Sequence, residues 1–137
     1  MVNSNGHLVA ESEISIHPNN RGLAYGDAVF ETLRVSAGKI FFWEDHYFRL
    51  MASMRILRME IPMNFTMEYL EDEVLKTTSS VGTAKETYRA KILVWREADG
   101  KYKPESNDIS FVITAETLPH PFYTLPNGPY EVELFKD

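Results

Sequence analysis

The stretch Asn20-Arg21-Gly22-Leu23-Ala24-Tyr25-Gly26-Asp27-Ala28-Val29-Phe30-Glu31-Thr32-Leu33-Arg34 decides the reading of this chain. Its first part is turn-forming. Pro18-Asn19-Asn20-Arg21-Gly22 reads as a loop, and Gly22 and Gly26 give the backbone freedom there. From Ala28 to Ala37 the residues nearly alternate, which is the mark of a strand. Val29, Leu33 and Val35 share one face, with Glu31 the exception among them. Phe30, Thr32, Arg34 and Ser36 share the other. A face that sets Thr32 and Arg34 beside Phe30 is either exposed or lines a cavity, and the residues by themselves favour exposure.

Ala37-Gly38 is a turn, after which Lys39 to Trp43 is expected to pair back as a hairpin strand. Glu44 and Asp45 suit a helix start. Tyr47, Leu50, Met51, Met54 and Leu57 then recur at helical spacing, with His46, Arg49 and Ser53 on an adjoining face. Ile61-Pro62 is expected to end that helix. Asn64 or Thr66 can cap a second helix with the stripe Met67, Leu70, Val74 and Leu75, closing over Ser79 to Thr83. Tyr88 to Arg96 and Asp108 to Ala115 read as long strands, joined by a polar loop from Glu97 to Asn107. Asn5-Gly6 signals a small hairpin near the N-terminus. Hairpins, two helices and two further strands make an α+β fold, a two-layer arrangement of an antiparallel sheet with helices on one side.

Residues 1–116 fit one small domain. Four prolines follow in eleven residues, at 119, 121, 126 and 129, so residues 117–129 read as a linker between domains. Tyr130 to Phe135 alternates like a strand but has no partner left. Residues 130–137 are therefore expected to open a second domain.

The chain has 137 residues, a net charge of −6 and no cysteine. The acidic balance argues against nucleic acid as a partner. The lack of cysteine excludes disulfides and thiolate chemistry. His7, His17, His46 and His120 are not at metal-ligand spacing. No apolar run suits a membrane span and the N-terminus does not look like a signal peptide, so a cytoplasmic protein is expected.

The run Arg21-Gly22, Tyr25-Gly26-Asp27, Phe30-Glu31, Leu33-Arg34 resembles the "RG-x-x-YGD-x-x-FE" pattern of the fold-type IV pyridoxal 5'-phosphate (PLP) enzymes. These include branched-chain and D-amino acid aminotransferases and aminodeoxychorismate lyase. Glu44-Asp45-His46-Tyr47-Phe48-Arg49-Leu50 resembles that family's "EHxxRL" segment with Asp45 substituted. The resemblance implies the small domain of a D-amino acid aminotransferase-like fold and a homodimer acting on an amino acid and a 2-oxo acid. It implies that Arg49 grips the cofactor phosphate, a role suited to a planar, permanently charged, bidentate donor. By the same likeness Phe30 and Arg34 are active-site wall residues, and Tyr25 reaches the neighbouring subunit's site. Lys91 or Arg96 would hold the substrate carboxylate, with Lys101 and Tyr102 as weaker candidates.

The Arg-x-His pair of D-amino acid aminotransferases has no counterpart in Glu97 to Asn107. Thr32 stands where branched-chain enzymes usually have glycine. The resemblance also implies a Schiff-base lysine in a C-terminal domain that residues 130–137 would begin. None of Lys39, Lys76, Lys85, Lys91, Lys101, Lys103 and Lys136 has the family's setting for it. The chain alone is accordingly expected to be inactive, the N-terminal part of an aminotransferase. The alternatives are an aminodeoxychorismate-type lyase and a non-catalytic small-domain interaction module.

Overall fold

The computed structural model describes residues 1–125 and 127–135. Strands β1 (Val2–Ser4) and β2 (His7–Val9) form the N-terminal hairpin. A short helix α1 (Arg21–Tyr25) precedes β3 (Ala28–Ser36) and β4 (Lys39–Ile40). Helices α2 (Trp43–Ile56) and α3 (Met67–Val81) come next, then β5 (Thr87–Arg96) and β6 (Ile109–Leu118). The six strands make one sheet in the order β2-β1-β6-β5-β3-β4, with every pairing antiparallel. This is the α+β architecture expected.

One face of the sheet carries the core. Leu33 and Val35 of β3, Ala90, Ile92 and Val94 of β5, and Phe111 and Ile113 of β6 point inward. They meet Leu50, Met51 and Met54 of α2 and Leu70 and Val74 of α3. The period-2 pattern of the strands and the 3.6-residue pattern of the helices thus close on one apolar layer. A buried polar staple ties the hairpin to α3: Asn3 Nδ2 donates to Glu73 Oε2, and Lys76 Nζ donates to Glu73 and to the Gly6 carbonyl.

Several boundaries differ from expectation. The return strand stops at Ile40, because Phe42 takes φ +55° and α2 starts at Trp43. Helix α2 ends at Ile56, short of Ile61-Pro62. Arg58 turns left-handed at φ +56° while the Met59 amide donates to the Met54 carbonyl, the six-to-one bond of a Schellman ending. Thr66, not Asn64, caps α3, its side chain accepting from the Tyr69 amide. Asn20 caps a helix inside what the sequence suggests is loop. Strand β6 reaches Leu118, two residues into the expected linker. Residues 130–135 form no strand, and the sheet offers them no partner. Pro126 of the expected linker, and Lys136 and Asp137 at the end of the expected strand, lie outside the described residues.

Candidate functional site

The site is built around β3. Its register against β5 pairs Phe30 with Leu93, Thr32 with Lys91 and Arg34 with Arg89. The outer face of the sheet therefore sets Phe30, Thr32 and Arg34 beside Arg89 and Lys91, away from the helices. Phe30 is 60% exposed, and Lys91 Nζ lies 4.7 Å from the centre of its ring. That is a cation–π contact at an open surface. Arg34 Nη1 donates to the His120 carbonyl at 2.9 Å, and its guanidinium lies over the Tyr123 ring at 4.4 Å. The segment after β6 thus returns across the outer face at Arg34.

Glu31, one residue from Phe30, faces the other way. It is only 6% exposed and meets two residues of α2. Arg49 Nε and Nη2 donate to its two carboxylate oxygens at 2.8 and 2.7 Å. His46 Nδ1 lies 2.7 Å from Oε2. Arg49 Nη2 also lies 2.9 Å from the same His46 Nδ1, so the three side chains meet at one point. Burial by itself raises the Glu31 carboxyl's pKa, but the hydrogen bonds and charges of Arg49 and His46 together outweigh it and hold it below its ordinary range. The bond to Glu31 in turn raises the pKa of Arg49.

The spacing of His46 and Arg49 puts both on one side of α2, facing β3. Beyond the bond from the Phe41 amide to the Arg34 carbonyl, β4 pairs with only Val35 and Ser36. The earlier part of β3 is thus a sheet edge that separates the outer-face residues from the Glu31 cluster. Arg49 is 58% exposed there, and its Nη1 has no partner among the described residues. A guanidinium pinned along one edge by a bidentate carboxylate presents the other edge to an anion. The residues present therefore fit a phosphate group.

A second carboxylate organises the approach to β3. Asp27 Oδ2 accepts from Arg21 Nε at 2.9 Å and from Arg96 Nε at 2.8 Å. Arg96 also donates through Nη1 to the Arg58 carbonyl and Asn107 Oδ1, and through Nη2 to the Leu57 carbonyl and Asp27 Oδ1. All five of its donors are engaged and the residue is 5% exposed. Arg96, expected as one holder of the substrate carboxylate, here turns every N–H into the fold and acts as an internal brace. Two glycines serve this turn, Gly22 for want of room and Gly26 for its backbone angle. A Cβ on Gly22 would lie 3.1 Å from the Trp95 Cβ, and Gly26 takes φ +67° to end α1. Tyr25 is 47% exposed, with the Arg21 guanidinium 4.9 Å from its ring centre and Tyr102 edge-on at 6.3 Å.

The structure thus gathers Phe30, Arg34 and Lys91 on one surface, keeps Arg49 at the sheet edge and Tyr25 at the 97–107 loop, and buries Arg96 in the brace around Asp27. Sequence reasoning missed the part played by Glu31, Arg21 and Asp27. The signal for Glu31 was present as a charge among inward-facing apolar residues. Among the described residues no group of acidic or histidine side chains is arranged to hold a metal ion, and no helix is long and apolar enough to cross a membrane.

A protein assigned as a branched-chain-amino-acid aminotransferase of Methanocaldococcus jannaschii is 38% identical over 73 residues, 53% of this chain and 25% of its own length. The D-alanine aminotransferase of Staphylococcus aureus (strain N315) is 35% identical over 66 residues, 48% of this chain and 23% of its own. The branched-chain aminotransferase of Thermoproteus uzoniensis, solved with norvaline, superposes with TM-score 0.71 and 26% identity over 84% of this chain and 39% of that one. A second branched-chain amino acid aminotransferase, from T.th. and solved with pyridoxamine 5'-phosphate, gives 0.73 and 26%, over 86% of this chain and 40% of that one. The chain spans less than half the length of these relatives. Enzymes of this kind use PLP. With residues 28–134 matching the family described as Amino-transferase class IV, the chain belongs to that family.

Proposed function

We propose that this chain forms the small-domain side of a PLP-dependent aminotransferase site that moves an amino group between an amino acid and a 2-oxo acid. The observation that carries the reading is Arg49, exposed at a sheet edge and held through one edge of its guanidinium by buried Glu31. In this reading Arg49 binds the cofactor phosphate, and Glu31 and His46 keep its side chain in place before the phosphate arrives. Such preorganisation lowers the ordering cost of binding. When bound, the cofactor supplies the electron sink for bonds at the amino acid's α-carbon. Phe30 and Thr32 wall the reacting region, and Lys91 offers a cation to the substrate carboxylate. Arg34 stays a wall residue whose charge is shared with the segment after β6.

The lysine that carries the cofactor is proposed to come from a C-terminal domain outside these 137 residues, so that the chain alone is inactive. Two of its lysines are engaged elsewhere: Lys76 is tied to Glu73 and Gly6, and Lys91 stacks on Phe30. A homodimer in which Tyr25 serves the neighbouring site, in the cytoplasm, completes the proposal. Arg49→Gln in the intact protein tests it. Each charge-assisted hydrogen bond lost contributes about 1.5–3 kcal/mol. PLP affinity, read by absorbance titration, is expected to fall by about a hundredfold. Unchanged affinity contradicts the assignment.

A further inference from the structure

We infer that Arg21 is a positioning residue that sets the 98–104 loop, and through it the entrance of the amino-acid site. Arg21 is 5% exposed, and its three engaged contacts point in different directions. Nε is held by Asp27. Nη1 donates to the Gly100 carbonyl at 3.2 Å and to the Lys101 carbonyl at 2.7 Å. The flat face of the guanidinium covers Tyr25. Among the described residues, these two bonds are the hydrogen bonds that join positions 98–104 to the rest of the fold. The other loop bonds stay within it or close its neck, as from the Glu105 amide to the Asp99 carbonyl and from the Glu97 amide to the Asp108 carbonyl.

The loop so held presents Lys101, Tyr102 and Lys103 to an open cavity of about 890 Å³ that Tyr25 also lines. Asp99 and Glu105 line the same cavity, so two ammonium groups, two carboxylates and two phenols surround it, a mixed-charge surface that suits a small zwitterion such as an amino acid. Asp27 makes the clamp possible. It neutralises the buried guanidinium, and Arg96 fixes Asp27 from the opposite side. Displacing Arg21 releases the two carbonyls and leaves Asp27 paired with Arg96, so the fold survives while the loop opens. The entrance role rests on the aminotransferase reading; the clamp itself does not.

The test uses Arg21→Met and Arg21→Lys. A lysine can answer Asp27, but its single ammonium cannot also reach both carbonyls as the arginine fork does. Limited trypsin digestion, mapped by mass, is expected to cut after Lys101 about tenfold faster in both variants, with circular dichroism unchanged. In the intact protein with PLP, Arg21→Lys is expected to raise KM for the amino acid about tenfold with kcat within about twofold. If Arg21→Met fails to fold, Arg21→Lys decides. Loop cleavage at the wild-type rate in a folded variant overturns the clamp. Faster cleavage with KM unchanged overturns the entrance role. An intact protein without transaminase activity contradicts the aminotransferase reading while the cleavage result still judges the clamp, so the two fail separately.

Discussion

Asp27 and Glu31 sit four residues apart and are both held ionised by arginines from elsewhere in the chain. Burial by itself raises the Asp27 pKa, but hydrogen bonds and charges from Arg96 and Arg21 together outweigh it, and its value ends below the ordinary 3.8. Glu31 likewise ends below its ordinary 4.5. A carboxyl whose pKa is depressed in the folded state adds stability that is fully present above its unfolded value. That stability is lost as the pH falls through the folded value. The urea midpoint is therefore expected to hold above about pH 5 and to decline steadily below it. Glu31→Gln should flatten part of that decline; a variant with the wild-type slope contradicts the role given to Glu31. Single residues of this kind are hard to read in sequence. Arg49 and Arg96 look alike there, each an arginine in a patterned segment. Only the fold shows one at an edge, its Nη1 without a partner among the described residues, and the other with five donors engaged.

At the scale of elements, two hairpin turns make a natural comparison. Asn5-Gly6 has φ +49° and +87°, and Ala37-Gly38 has +49° and +71°. Turns with both central residues left-handed favour Asn-Gly, and an alanine there is strained by about 1 kcal/mol. Ala37→Asn is expected to raise stability by about 0.5–1 kcal/mol in urea denaturation. Asn5→Ala is expected to lower it by more, because Asn5 Oδ1 also accepts from the Phe111 amide. The long elements were legible because their patterns are long: β3, β5, α2 and α3 lie where alternation or helical spacing puts them. What escaped was decided by backbone angles. Phe42 and Arg58 both take positive φ, where side chains give little warning, and these two residues set the limits of α2. Helix α1 escaped because its five residues are too few to show a period.

For the whole molecule, the two faces of the sheet differ. One is sealed by α2 and α3; the other leaves Phe30 60% exposed, with Tyr123, 69% exposed, over Arg34. Exposed aromatic groups in one region tend to find a partner. Sedimentation of the 137-residue chain at high concentration is expected to show a dimer or larger assembly, and a monomer throughout would count against it. The family and the small-domain fold were legible because the segments Arg21 to Arg34 and Glu44 to Leu50 carry both a pattern and a chemistry. The donor amino acid was not: on the proposed reading it depends on the 97–107 loop, which Arg21 meets through backbone carbonyls that any sequence possesses. The central claim is that this chain provides the phosphate grip and not the lysine that carries the cofactor. Borohydride reduction of the 137-residue chain after PLP addition, with peptide mapping and an amino-transfer assay, tests it most directly. The account predicts no stoichiometric adduct at a single lysine and no transfer. A stoichiometric adduct at one lysine, such as Lys91, accompanied by turnover, would contradict it.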